Sequence, residues 1–106
     1  MKTSSVIIEV LNGVEDGKKL EFSNFPITIG RHSSDNLYLP YDKNISRHHA
    51  RILRNGREYS LEDIGWEGRG STNGTYLNGK LIAGKTYLSS GDTFLIGNVL
   101  FRFRVE

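Results

Sequence analysis

Alternation is the feature that most constrains this chain. Val99, Phe101, Phe103 and Val105 occupy every second position of the last stretch, with Arg102 and Arg104 between them. A period of two puts apolar side chains on one face of a strand and charged ones on the other. The pattern recurs at Val6, Ile8 and Val10, at Ile27 and Ile29 around Thr28, and at Ala50 and Ile52 around Arg51. It appears again where Tyr59 and Leu61 alternate with Ser60 and Glu62. No window carries a sustained helical stripe with caps. Turn signals punctuate the runs: Asn12-Gly13, Asp16-Gly17, Asn55-Gly56, Asn78-Gly79, Ser90-Gly91 and Gly97-Asn98. Asn55-Gly56 and Asn78-Gly79 each lie between two strand-like runs, and both match the central pair of a two-residue hairpin turn. Short, closely spaced strands with glycine-rich turns predict an all-β fold, an antiparallel β-sandwich.

With 106 residues the chain can fill one two-layer core but not two, so residues 1–106 are expected to form a single domain. No apolar run approaches the length of a membrane span, and the start, Met1-Lys2-Thr3-Ser4-Ser5, lacks the apolar stretch of a signal peptide. Cysteine is absent, which removes any disulfide framework or thiolate site and fits a cytoplasmic setting. The formal net charge of +2 contains no block of like charge. Such a mildly cationic surface suits anionic partners, phosphopeptides and nucleic acid alike.

Three polar loop signals stand between the strands. They are Gly30-Arg31-His32-Ser33, then Ser46-Arg47-His48-His49, then Ser71-Thr72-Asn73-Gly74-Thr75. Each holds a donor for a doubly charged oxyanion. An Arg guanidinium takes phosphate in bidentate fashion, and Ser and Thr hydroxyls donate to the remaining oxygens. Brought to one end of a sandwich, the three would form a clamp for phosphate, which points to recognition of a phosphorylated partner rather than chemistry on it.

These residues resemble a forkhead-associated (FHA) domain, a phosphothreonine-peptide-binding module. The matching positions are Gly30-Arg31, Ser46-Arg47-His48-His49-Ala50 (the family's Ser-x-x-His), Asp63, Ser71-Thr72-Asn73-Gly74-Thr75, Asn78-Gly79 and Gly91-Asp92. They occur in the family's order and span most of the chain. Ser-x-x-His followed at this separation by Ser-Thr-Asn-Gly-Thr is the specific part of the match. The resemblance implies a sandwich with binding loops at one end, no catalysis and no cofactor. It implies that Arg31, Ser46 and Thr72 contact phosphate and that Asn73 contacts the main chain of the ligand. Arg47 falls where the family's side chain varies, and is expected to offer its backbone N–H or to reach the peptide. Gly30, His49 and Gly74 are expected to support the loops, with His49 bracing the one that carries Ser46. The implied partner is a phosphothreonine-containing protein, bound in trans or in cis from a fused segment. A small apolar contact for the threonine methyl implies a preference over phosphoserine.

Other readings compete at single residues. Arg31 alone reads as a solvated Arg after a strand-ending Gly, and Ser46 or the Ser71–Thr75 loop as turns bonding their own backbone. Adjacent His48 and His49 on a strand point to opposite faces, and His32 is the one further His, so metal ligation is not expected. His48 is expected to face solvent. A Ser46-His49-Asp63 triad can be written down, but no nucleophile elbow accompanies it. Trp66-Glu67-Gly68-Arg69-Gly70 intervenes between Gly65 and Ser71, where relatives often run on directly. This insert bears on sequence preference beside the site, with Trp66 packing on the sandwich or meeting the ligand and Arg69 adding a cation. A nucleic-acid surface on Phe101-Arg102-Phe103-Arg104 is the weaker reading, because those residues also describe a core strand with a wet outer face. A degenerate scaffold that binds an unphosphorylated protein surface is the nearer alternative, and intact Arg31, Ser46 and Thr72 argue against it.

Overall fold

The computed structural model describes residues 5–65 and 70–106. Among these, every regular element is a strand. One sheet has six strands in the order β2 (Lys19–Phe22), β1 (Val6–Val10), β11 (Val99–Val105), β10 (Thr93–Ile96), β7 (Thr75–Leu77) and β8 (Lys80–Leu81). The other has five: β4 (Leu37–Tyr38), β3 (Ile27–Gly30), β5 (Ala50–Asn55), β6 (Glu58–Asp63) and β9 (Lys85–Leu88).

The alternation seen in the sequence becomes the core. Val6, Ile8, Val10, Ile27, Ile29, Ala50, Ile52, Tyr59, Leu61, Phe101 and Phe103 are all buried. Phe94 stacks on Phe101 at 5.1 Å between centroids, and Tyr59 meets Phe103 edge-on at 5.3 Å. Aromatic pairs in these arrangements add to the free energy of area burial. Val105 has the right parity yet stays 37% exposed. It is the last residue of β11, where pairing to Val6 ends the ladder.

Two details depart from the expected pattern. At Asn78-Gly79 both residues have positive φ, 50° and 83°, and Leu77 pairs with Lys80, as a two-residue hairpin requires. At Asn55-Gly56 the register is offset by one. Asn55 pairs with Glu58, so the central residues are Gly56 and Arg57, with positive φ at Gly56 alone. A glycine at the first central position satisfies the turn without help from the Asn. The sheets are also not wholly antiparallel, because β4 runs parallel to β3, with Ile29 opposite Leu37. Side chains hold this short return. Asn36 Oδ1 accepts from both the N–H and the hydroxyl of Thr28, and the Asn36 N–H donates back to Thr28 Oγ1, all at 2.9 Å.

The pairing gathers the three loops. Ile29 lies opposite Ala50, and Ala50 opposite Asp63. The end of β3, the start of β5 and the end of β6 therefore share one end of the five-stranded sheet. Phe101→Ala, which removes an aromatic ring from the middle of this core, is expected to cost about 3–5 kcal/mol of stability in urea unfolding.

Candidate functional site

Beyond the end of β3 the ladder continues into loops. Arg31 N donates to Ser46 O at 3.1 Å, His32 N to Arg47 O at 3.2 Å, and His49 N to Ile29 O at 2.8 Å. Gly30 makes this approach possible. A Cβ at Gly30 would run into the carbonyl oxygen of Arg47 and lie 2.5 Å from a carboxylate oxygen of Asp35. The Arg31 side chain is exposed, and its Nε donates to Ile45 O at 2.9 Å. That bond sets the guanidinium plane and uses one of five N–H donors; the terminal nitrogens carry the other four.

His49 joins the second loop to the third. Its ring is fully buried. Nδ1 accepts the Ser46 N–H at 3.0 Å, and Nε2 lies 2.7 Å from Gly74 O. An acceptor at Nδ1 requires the proton on Nε2, so the ring is the neutral tautomer that donates to Gly74. Burial lowers the His49 pKa below the usual 6.5, against the opposing effects of the Gly74 carbonyl and of Asp63 and Asp42. The triad is ruled out by this geometry. Nδ1 faces the backbone of Ser46, and neither ring nitrogen pairs with Ser46 Oγ or Asp63.

Ser46 Oγ accepts from the Thr72 N–H at 3.1 Å, which leaves the hydroxyl its own proton to donate. Thr72 is exposed beside it. Asn73 Nδ2 donates to Asn44 O at 2.9 Å, so part of the side chain expected to meet a ligand ties the two loops together instead. Its Oδ1 and second amide hydrogen retain their capacity. Asp63 shapes the third loop from below. One carboxylate oxygen accepts the hydroxyls of Ser71 and Thr75, the latter at 2.8 Å, and the other accepts the Ser71 N–H at 3.1 Å. Gly65 and Gly70 form a bridge, and Gly70 N donates to Ile64 O at 2.8 Å. The insert is thus closed at its base, and Ser71 re-enters the loop at a fixed point. Trp66 and Arg69 lie outside the described residues.

Two supporting groups, Asp35 and Asp42, were not singled out in the sequence. Asp35 is buried, accepts the His32 N–H at 3.1 Å, and lies 2.9 Å from His48 Nδ1. His48 is therefore not simply solvent-facing. Its side chain is about one-third exposed and packs 5.1 Å from the His32 ring. Asp42 caps the second loop, accepting from Asn44 N at 2.9 Å and Asn98 N at 2.8 Å. Burial pushes its pKa up, but these bonds outweigh it and hold the carboxyl below the usual range. An Asp two residues before an Asn in a polar loop is a turn signal that identifies Asp42. Asp35 closes a turn onto His32 in its own loop, and its other partner, His48, comes from a different loop. Arg47 is exposed at the rim.

The arrangement is a shallow end surface where Arg31, the Ser46 hydroxyl and Thr72 sit on loops braced from beneath. The FHA domain model matches residues 27–97, and the chain belongs to this family. It is 33% identical over 93 residues to an oxoglutarate dehydrogenase inhibitor of Corynebacterium jeikeium, covering 88% of this chain and 60% of that protein. Among solved structures, Mycobacterium tuberculosis EmbR in complex with a low-affinity phosphopeptide superposes with a TM-score of 0.81 at 26% identity, over 94% of this chain and 24% of that one. An FHA domain solved in work on phosphothreonine-dependent interactions gives 0.79 at 27% identity, over 96% and 97%. The chain spans about 60% of the length of the curated relative.

His49→Ala is expected to cost about 2–5 kcal/mol, because it orphans the Ser46 N–H and the Gly74 carbonyl and opens a cavity. The pH dependence has a definite sign. The folded state resists protonating His49, whereas the unfolded chain takes the proton near pH 6.5. Stability is therefore lost as pH falls from about 6.5 toward the lowered folded value. Thermal melting from pH 8 to 5 checks this, and the His49→Ala variant should show a shallower decline over that window.

Proposed function

We propose that this domain binds phosphothreonine-containing segments through Arg31, Ser46 and Thr72, with Asn73 and Arg47 contacting the ligand chain, and that it catalyses nothing. The observation that carries this reading is the oriented guanidinium of Arg31. Its Nε is anchored on Ile45 O, at the same end of the sandwich as the Ser46 hydroxyl and Thr72. Charge-assisted bonds from a fixed fork suit a phosphate dianion. Preformed loops reduce the ordering cost of binding. The named relatives support the reading, since one was solved with a phosphopeptide and another for phosphothreonine-dependent interactions. The partner is a phosphoprotein or a phosphorylated segment of the same polypeptide. The setting is cytoplasmic, and neither nucleic acid nor membrane is the ligand.

Calorimetry with a synthetic phosphothreonine peptide selected from a degenerate library tests the proposal. Arg31→Ala should abolish detectable binding in a folded protein, a loss of roughly 2–5 kcal/mol for a desolvated charge contact. Arg31→Lys should also bind poorly, because an ammonium does not reproduce the fork. Unchanged affinity in either variant would sink the clamp.

The threonine methyl supplies a second prediction. A phosphothreonine peptide should bind more tightly than its phosphoserine twin by about 1–3 kcal/mol. Both should weaken as pH falls through about 6, where the phosphate dianion takes up a proton. Equal affinities for the pair would mean that the site reads charge alone.

A further inference from the structure

A second feature adjoins the third loop. Leu81, in the edge strand β8, is 63% exposed, and its Cδ1 lies 2.5 Å from where a Cβ of Gly74 would stand. Gly74 is the residue whose carbonyl His49 holds, immediately after Asn73. Leu81 also lines a groove of about 480 Å³ that runs along β8 and the connection to β9. Its apolar surface comes from Leu77, Leu81, Ile82 and Ala83. Leu77 and Ile82 are partly buried against the core, so the floor is fixed. Lys80 and Lys85 are exposed along it, and no lining residue carries a carboxylate. Glu62 pairs with Lys85 in the ladder, but its carboxylate is engaged by Arg51 Nε at 2.6 Å.

We infer that this groove is a subsite for acidic-apolar sequence on the same chain as the phosphothreonine, an inference that rests on the proposed phosphate site. Two ammonium groups beside an apolar floor complement an apolar side chain flanked by carboxylates. Leu81 lies beside Gly74 of the third loop and also lines the groove, so an extended segment leaving a phosphothreonine at that loop can reach it. A surface this small does not hold a partner alone. It contributes once the phosphate has raised the local concentration of the flanking segment. The ligand class is then a phosphothreonine with Asp or Glu interleaved with Leu, Ile or Val nearby.

Fluorescence anisotropy with synthetic peptides tests this. One phosphothreonine core flanked by Gly and Ala is compared with the same core extended, on either side in turn, by Asp-Leu, Lys-Leu or Gly-Ser tails. On one side the Asp-Leu tail should tighten binding about tenfold. Lys80→Glu with Lys85→Glu should remove that gain, and Leu81→Ser should reduce it. The plain core should bind all variants as it binds wild type, and melting temperatures should confirm folding. Equal gains from Lys-Leu or Gly-Ser tails, or an Asp-Leu gain that survives the double charge reversal, would overturn the subsite while leaving the phosphate site standing. An unphosphorylated Asp-Leu peptide that binds as well as its phosphorylated form would overturn the coupling of the two. Failure of wild type to bind the plain core would bring down the phosphothreonine reading, and the subsite with it.

Discussion

The end surface depends on one buried imidazole. His49 accepts a backbone N–H from the second loop and donates to a backbone carbonyl of the third. Few side chains can do both at once while remaining neutral, and neutrality matters because the ring is fully buried. A charged group there would carry a desolvation penalty. An apolar one would leave two buried backbone groups without partners. The loops that present Ser46 and Thr72 are thus positioned from below, and the bonds from Thr72 N to Ser46 Oγ and from Asn73 Nδ2 to Asn44 O tie them again nearer the surface.

Around that imidazole the site is built in two tiers. Asp63, Asp42 and Asp35 sit beneath the loops and accept N–H and O–H donors from them. The outer tier, Arg31, the Ser46 hydroxyl and Thr72, presents donors outward. Acceptors below and donors above leave the surface biased toward an anion even though the net charge of the chain is only +2. The bias therefore lies in where hydrogen-bonding groups point, not in an excess of cations. The groove beside β8 differs in kind: its character comes from two lysines on an apolar floor at the junction of two sheet edges.

Local features were legible in the sequence to different degrees. Alternation at Val6–Val10, Ala50–Ile52 and Val99–Phe103 told which residues face the core, because side-chain parity in a strand is a local property. The turn at Asn78-Gly79 was equally legible. The turn at Gly56-Arg57 was not, because one glycine there satisfies two possible registers and only cross-strand packing chooses between them. The parallel placement of β4 escaped for a similar reason. It depends on Thr28 and Asn36, eight residues apart, exchanging hydrogen bonds.

The sequence by itself determined that the chain is a β-sandwich of the FHA family and that Gly30-Arg31, Ser46, His49 and Thr72-Asn73 form its candidate site. Periodicity, turn chemistry and motif order are all written along the chain. Tertiary structure alone decided how those groups divide between bracing and presentation. Asn73 spends one amide hydrogen on Asn44, Ser46 takes a bond from Thr72, and His48 turns to the buried Asp35 of another loop. It also placed Leu81 against Gly74 and Lys80 along the same groove as Lys85. Hydrogen-bond partners and groove walls come from segments far apart in the chain, and only packing brings them within a few ångströms.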